Sequence, residues 1–253
     1  MAKSATHEAA LWQMDYSQLE LRIFASVTKT SWMLETFADP DGDIHAATGF
    51  RVLGVPPEHQ TPDLRTRAKT LNFGMAYGAQ GETVEEQITV YALRNPDKEI
   101  RIPSLAECKA MVKLYWERAP EAQAWKEFVI EMMKDRGYAE TLYGFRRYLP
   151  HIRSYNSELR GAAEREGINH IIQGTAGQII KQASLMIWQD APKYHADIRS
   201  QIHDELFGLV FGDKDNKMKW LQVVERYALL DQPLMPVPLR VKPVLVENWK
   251  QAK

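Results

Sequence analysis

The chain is expected to fold as an α+β protein, and three observations predict it. β-prone runs occur near both ends, at Leu11–Met14 and around 201–211. Between them, long stretches carry apolar residues at helical spacing. Short clusters of turn-forming residues, rather than Gly/Ser linkers, separate these segments. At 253 residues, 45% hydrophobic and 26% charged, the chain can build one large domain or two small ones around a substantial core.

Leu11-Trp12-Gln13-Met14 reads as a short strand that leads into a helix from about Tyr16 to Val27. Asp39-Pro40-Asp41-Gly42-Asp43 and Gly54-Val55-Pro56-Pro57 are turns. Thr61-Pro62 supplies an N-cap and a first-turn proline to a helix that continues through Tyr77. After the turn Arg94-Asn95-Pro96-Asp97, apolar residues recur at Leu105, Met111, Val112, Leu114, Tyr115 and Trp116. Pro120 then breaks that helix ahead of a second one through Trp125, Phe128, Val129 and Met132. Ile202, Leu206, Leu209 and Phe211 flank His203-Asp204-Glu205 as a strand, tight turn and strand, closed by the turn cluster 212–216. There is no internal repeat and no low-complexity tract.

Composition narrows the functional classes. No apolar run approaches the roughly 18 residues needed to span a bilayer, and the opening MAKSATHEAALW lacks the apolar core of a secretory signal. These features predict a cytoplasmic protein with no membrane partner. Cys108 is the one cysteine, which excludes an intrachain disulfide and any zinc site built from several thiolates; packing is its expected role. A formal net charge of −1 argues mildly against nucleic-acid binding. The charge is unevenly spread, however: residues 136–165 hold six arginines (Arg136, Arg146, Arg147, Arg153, Arg160, Arg165) against three glutamates. Such a stretch is either a solvated surface or a groove for phosphates.

Three motifs carry chemistry. In Asp15-Tyr16-Ser17-Gln18-Leu19-Glu20-Leu21-Arg22, an aspartate at the end of a strand projects its carboxylate at the sheet edge, where a hard cation can bind. Taken alone, an aspartate before a helix is more often an N-cap. In Gln201-Ile202-His203-Asp204-Glu205-Leu206, adjacent carboxylates sit at a hairpin tip and repel unless one protonates or a divalent metal neutralises them; an ordinary acidic turn is the alternative. The helix after Thr61 carries Arg65, Lys69, Phe73 and Tyr77 at successive four-residue steps on one face. Twelve residues at roughly 1.5 Å each span about 18 Å, a length that suits a nucleoside triphosphate gripped by cations with an aromatic ring at its base. An amphipathic helix with structural cations is the alternative reading.

Taken in order, DYSQLELR, RTRAKTLNFGMAYG and QIHDEL resemble motifs A, B and C of family A DNA polymerases, the group that contains bacterial DNA polymerase I. GDIHAATG, GYAETLYGFRRYLP, AAEREGINHIIQGTAGQIIK and the closing PLRVKPVLVENW are similar to the same family, so the resemblance runs from Asp15 nearly to the end. It implies a polymerase palm, an antiparallel sheet with helices, and mostly helical fingers, with the thumb absent. The palm is expected at 1–30 and 146–253 and the fingers at 31–145. It implies a DNA-directed DNA polymerase catalytic subunit or fragment that adds dNTPs to a primer 3′-OH on a primer-template by a two-metal mechanism. Two Mg²⁺ ions are its expected cofactors, with Mn²⁺ able to substitute.

Residue by residue, the resemblance assigns Asp15, Asp204 and the backbone carbonyl of Tyr16 to metal, with Glu205 ancillary. Arg65, Lys69 and His45 match phosphate contacts, and Lys69 is also placed to protonate the leaving group. Gln18, Phe73 and Tyr77 match positions at the nucleotide, and Glu20 matches the side chain that excludes a ribose 2′-hydroxyl. Arg165, Asn169, Gln173 and His203 match positions at the primer-template minor groove and primer end. Two departures stand out. Residues 90–100 look like an insertion, expected as a surface excursion. Only fourteen residues precede Asp15, so a second polypeptide is expected to supply the thumb and remaining palm, and the strand edge near Leu11 is expected to be uncovered. A non-catalytic DNA-binding or assembly subunit that keeps the fold is the main alternative, and a metal-dependent nuclease a third, which the nucleotide-binding face of motif B disfavours.

Overall fold

The computed structural model of the chain describes residues 8–230 and 232–248. The opening residues 1–7 and Trp249, the last of the PLRVKPVLVENW stretch, lie outside the described residues. Along the chain run β1 (Ala10–Asp15), α1 (Leu19–Thr28), α2 (Ser31–Ala38), α3 (Ile44–Arg51), α4 (Pro62–Ala76), α5 (Gly81–Arg94), α6 (Leu105–Arg118) and α7 (Pro120–Arg136). They are followed by β2 (Tyr138–Glu140), β3 (Arg146–Tyr148), α8 (Ser157–Asp190), β4 (Ser200–Ile202), β5 (Glu205–Val210), α9 (Lys214–Ala228) and β6 (Val244–Val246). The α+β expectation holds. The elements fall into two compact units. One contains the chain up to Leu19, Ala176–Leu234 and the stretch from Leu239; the other contains Glu20–Thr175 and Met235–Pro238.

The first unit is built on an antiparallel sheet in the order β4-β5-β1-β6. The middle of β1 is buried on both faces, Trp12 and Met14 wholly and Gln13 nearly so, and Trp12 packs edge-to-face on Trp220 of α9 with ring centroids 5.5 Å apart. Its indole N–H donates to the Asp197 carbonyl at 3.0 Å. Gly208 of β5 has to be glycine, because a Cβ there would lie 1.8 Å from that same carbonyl oxygen. Each fully buried apolar side chain of this core, Phe207 for example, contributes about 1.5–3 kcal/mol.

Two expectations are corrected here. The strand edge near Leu11 is covered: β1 pairs with β5 on one side and with β6 on the other, with Leu11 opposite Val246. The helix expected from Tyr16 begins instead at Leu19, because Tyr16 is still bridged to Val241 and Gln18 takes the left-handed conformation, φ 56°.

The second unit is mostly helical, with the small hairpin β2–β3. The start signals read from the sequence operate as expected. The Thr61 hydroxyl accepts from the Leu64 N–H, Pro62 opens α4 and Pro120 opens α7. Ser104 and Glu107 form a full capping box on α6. Gly137, at φ 79°, ends α7 in the left-handed region, which glycine adopts without a Cβ penalty. Cys108 is buried, as its packing role requires. Among the described residues no helix is long and apolar enough to cross a membrane.

Candidate active site

In the sheet unit, the β1–β5 register sets Asp15 directly opposite Glu205, and the Tyr16 N–H points at the Asp204 carbonyl from 3.4 Å. The β4–β5 hairpin turns through His203 and Asp204, with Ile202 paired to Glu205. His203 sits at φ 53°, a strained choice for a side-chain-bearing residue, and such strain concentrates where geometry serves a site. Asp15 is therefore a strand residue facing two other carboxylates and not a helix cap. Partial withdrawal from water, then the charges of Asp204 and Glu205, push its pKa up to about 6; the Tyr16 N–H pulls the other way. Burial likewise raises Asp204, against a lowering by backbone hydrogen bonding and His203. Glu205 accepts a hydrogen bond from the Gln13 amide.

The Tyr16 ring is buried, its hydroxyl donating to the Ala228 carbonyl at 3.0 Å, so only its backbone remains to serve a ligand. Among the described residues no three His, Cys, Asp or Glu side chains form a metal cage by themselves. Mg²⁺ does not require one: it is commonly held by one or two carboxylates together with water and substrate phosphate oxygens. A crowded pair of hard oxygen donors with raised proton affinity fits that ion.

In the helical unit, α4 buries Ala68, Leu71 and Met75 and turns Arg65, Lys69 and Phe73 outward along one groove of about 470 Å³. Arg65 is held by the Asp43 carboxylate at 2.6 Å. Asp43 also caps α3, accepting from the N–H groups of His45 and Ala46 at 2.9 and 3.1 Å. Burial alone would raise the Asp43 pKa, but Arg65 and these N–H donors outweigh it and hold the group below the usual carboxylate range. Among the described residues Lys69 forms no ion pair.

His45 stands behind this face, 6% exposed, its ring centroid 6.0 Å from that of Phe73. Burial lowers its pKa to about 4; Asp43 opposes the shift and Arg65 and Lys69 reinforce it, so the ring is neutral at pH 7. The Asn72 amide donates to His45 Nδ1 at 3.0 Å, which leaves the proton on Nε2 as a hydrogen-bond donor rather than a cation. Tyr77 closes α4 at its C-cap and donates its phenolic hydroxyl to the Glu20 carboxylate, so the residues matched to sugar selection touch each other.

Further along the same unit, Arg165, Asn169 and Gln173 share a cavity of about 570 Å³ on α8 with Arg147 and His170. The Asn169 Oδ1 oxygen is buried with no hydrogen-bond partner. Most of the arginine-rich stretch is occupied within the chain: Arg146 pairs with Glu140, Arg147 with Glu166, and Arg153 and Arg160 donate to backbone carbonyls.

Sequence reasoning missed part of the helical site. The residues expected as a surface excursion continue α5 to Arg94 and form a 3₁₀ turn at Pro96–Lys98, and Tyr91 and Lys98 line the α4 groove with Gln87. Asp43, which orients Arg65, and Gln13, which holds Glu205, were also not singled out; neither has a local pattern that marks its partner.

Comparison with known proteins converges on one group. The model of DNA polymerase family A matches residues 1–251. The thermostable DNA polymerase I of Thermus thermophilus is 32% identical over 244 residues, covering 96% of this chain and 27% of that protein. DNA polymerase I of Pseudomonas aeruginosa is 36% identical over 246 residues, covering 94% of this chain and 24% of that protein. The chain thus spans about a quarter of the length of the curated relatives it matches. Among solved structures, the POL domain of Pol1 from M. smegmatis, in complex with DNA primer-template and dNTP, superimposes with a TM-score of 0.81 at 31% identity. That match covers 96% of this chain and 40% of that one.

Proposed function

The chain belongs to DNA polymerase family A, and from that premise we propose that it carries the nucleotidyl-transfer centre of a DNA-directed DNA polymerase acting on primer-template DNA and dNTPs. The observation that carries the reading is the register that sets Asp15 against Glu205 beside Asp204, a concentration of negative charge that only a cation or a proton relieves. Two Mg²⁺ ions bound by Asp15, Asp204 and the Tyr16 carbonyl would supply Lewis acidity to the primer 3′-hydroxyl and to the departing pyrophosphate.

The remaining chemistry falls to the chain's own groups. As the primer 3′-hydroxyl gives up its proton to water and its oxygen bonds to the α-phosphorus, the bond to the bridging oxygen breaks; Arg65 and Lys69 grip the triphosphate, and Lys69 delivers a proton to the leaving pyrophosphate. The neutral His45 adds a hydrogen bond. Phe73 meets the sugar and base of the nucleotide, while Glu20, tied to Tyr77, blocks a 2′-hydroxyl. Arg165, Asn169, Gln173 and His203 contact the primer-template. Further polypeptide, continuous with this chain or separate, completes the grip on the duplex, as the length of the relatives suggests. Template-directed addition of the complementary dNTP in the presence of Mg²⁺ is the direct test. Nucleotide binding with no incorporation, even when such further polypeptide is added, would favour the non-catalytic subunit instead.

A pH signature follows from the raised Asp15. Its folded-state pKa of about 6 lies above the unfolded value of 3.8, so the folded state binds the extra proton. This group's contribution to stability therefore rises as the pH falls from about 6 towards 4, and its destabilisation is fully present above pH 6. Mg²⁺ competes with that proton. The increase in melting temperature produced by Mg²⁺ is expected to be largest above pH 7 and to shrink as the pH falls below 6. A constant increase from pH 5 to 8 would show that Mg²⁺ binds elsewhere.

Sugar selection gives a second signature. Glu20→Ala is expected to raise ribonucleotide incorporation by about tenfold or more, since it removes the carboxylate that excludes the 2′-hydroxyl. Phe73→Tyr is expected to raise dideoxynucleotide acceptance by a similar factor, because the added phenol replaces the contact of the missing 3′-hydroxyl. Competition between dNTP, rNTP and ddNTP measures both, and unchanged ratios would remove these side chains from the sugar site.

A further inference from the structure

The α4 groove has two walls. Arg65, Lys69 and Phe73 form one, and Tyr91 and Lys98, from the stretch that reads as an insertion in the family pattern, form the other. The Lys98 ammonium donates to the Tyr91 hydroxyl at 2.8 Å and lies 5.2 Å from the centre of the Tyr91 ring. Resting on the assignment of α4 to the triphosphate, we propose that Lys98, held in place by Tyr91, is an additional phosphate-binding residue that grips the polyphosphate of the nucleotide.

Charge balance supports this. Asp43 already offsets Arg65 at 2.6 Å, so that pair brings little net charge to the groove and Lys69 supplies most of what the α4 wall offers. A triphosphate carries several negative charges, and Lys98 doubles the cationic charge without an acidic partner: among the described residues it forms no ion pair. Asp97 and Glu99 are its neighbours in sequence, but neither lines the groove.

Preorganisation supports it as well. A lysine side chain is normally disordered in water, and ordering it on binding costs affinity. Here a hydrogen bond and a cation–π contact restrict Lys98 before any ligand arrives. The Tyr91 phenol reports the same field, since Lys98 first, with a smaller contribution from Lys69, holds it below the usual tyrosine range. The two cations from opposite walls therefore act on one space.

Titration calorimetry of the 253-residue chain with dATP, dAMP and pyrophosphate at low salt tests the assignment. Lys98→Ala is expected to weaken dATP binding about fivefold to tenfold and dAMP binding by less than about twofold, with Lys98→Arg largely restoring dATP. A matching loss for pyrophosphate extends the grip to the released product, and a loss for dATP alone confines it to the incoming nucleotide. Either outcome supports the proposal. Unchanged dATP affinity in Lys98→Ala overturns it, as does an equal loss for dAMP, which marks a role in the fold. Lys69→Ala separates the two levels of inference. If it weakens dATP while Lys98→Ala does not, only the Lys98 assignment falls. If neither variant matters, or the unaltered chain binds no dATP, the reading of α4 falls with it.

Discussion

Asp15→Asn is expected to abolish nucleotide incorporation and, at the same time, to make the metal-free chain more stable. The two effects share one cause. Asp15 faces Glu205 across the strand pair and lies beside Asp204; partial withdrawal from water, then the charges of Asp204 and Glu205, push its pKa up to about 6. Asparagine keeps the shape and removes the charge. Loss of a charged ligand for the catalytic cation should lower incorporation on the order of 10³-fold or more, as for other residues that act as a unit. Removing a charge that is partly withdrawn from water and repelled by its neighbours, discounted because the carboxyl remains partly exposed, should be worth about 1 kcal/mol, or about 2–4 °C in melting temperature for a chain of this size. Asp204→Asn should behave in the same way, since burial raises that group too. Single-turnover primer extension and thermal unfolding in EDTA measure the two effects. A lower melting temperature together with retained turnover would mean that Asp15 is a structural residue.

Lys69→Ala is expected to slow incorporation by about 10² to 10³-fold, the cost commonly seen when a group that stabilises developing transition-state charge is removed. Arg65 cannot compensate, because Asp43 already holds its guanidinium. The informative variant is Lys69→Arg. It restores a cation for the triphosphate, but a guanidinium does not give up a proton, so nucleotide affinity should return while the rate of the chemical step stays low. Pre-steady-state incorporation across a dNTP titration separates the two quantities. Full recovery of the rate in Lys69→Arg would reduce Lys69 to an electrostatic contact and leave the proton to water.

Local chemistry explains what was legible in the sequence. Thr61-Pro62 and Pro120 mark helix ends because caps and breakers act within one turn, and the hairpin at His203-Asp204 shows because apolar residues alternate on both sides of it. The four-residue spacing of Arg65, Lys69 and Phe73 exposes their shared face directly. Contacts between distant segments were not legible. Nothing near Leu11 signals that Val246 will cover its strand, and nothing near Tyr16 signals the bridge to Val241 that delays the following helix to Leu19. The arginines of 136–165 looked like a cationic run because their partners, Glu166 and the carbonyls of Lys134 and Asp135, become neighbours only after folding. Tyr91 and Lys98 do lie at the surface, as expected, but the groove they line is made by two separate helical segments and leaves no local signal.

The place of β1 between β5 and β6 also sets a timetable for synthesis. Asp15 meets its first strand partner at Glu205, and Leu11 meets Val246 later still, so these pairings are among the longest-range in the chain. Closing such loops is slow compared with forming the local helices. At about 5–20 residues per second, a ribosome leaves β1 unpaired for roughly 10–40 s before β5 is made. During that interval the strand Leu11-Trp12-Gln13-Met14 is a bare apolar edge, open to pairing with other nascent chains or to a chaperone. The carboxylate site is consequently among the last features to form, and slowed translation of the C-terminal third should lower the yield of active protein more than the yield of helical protein.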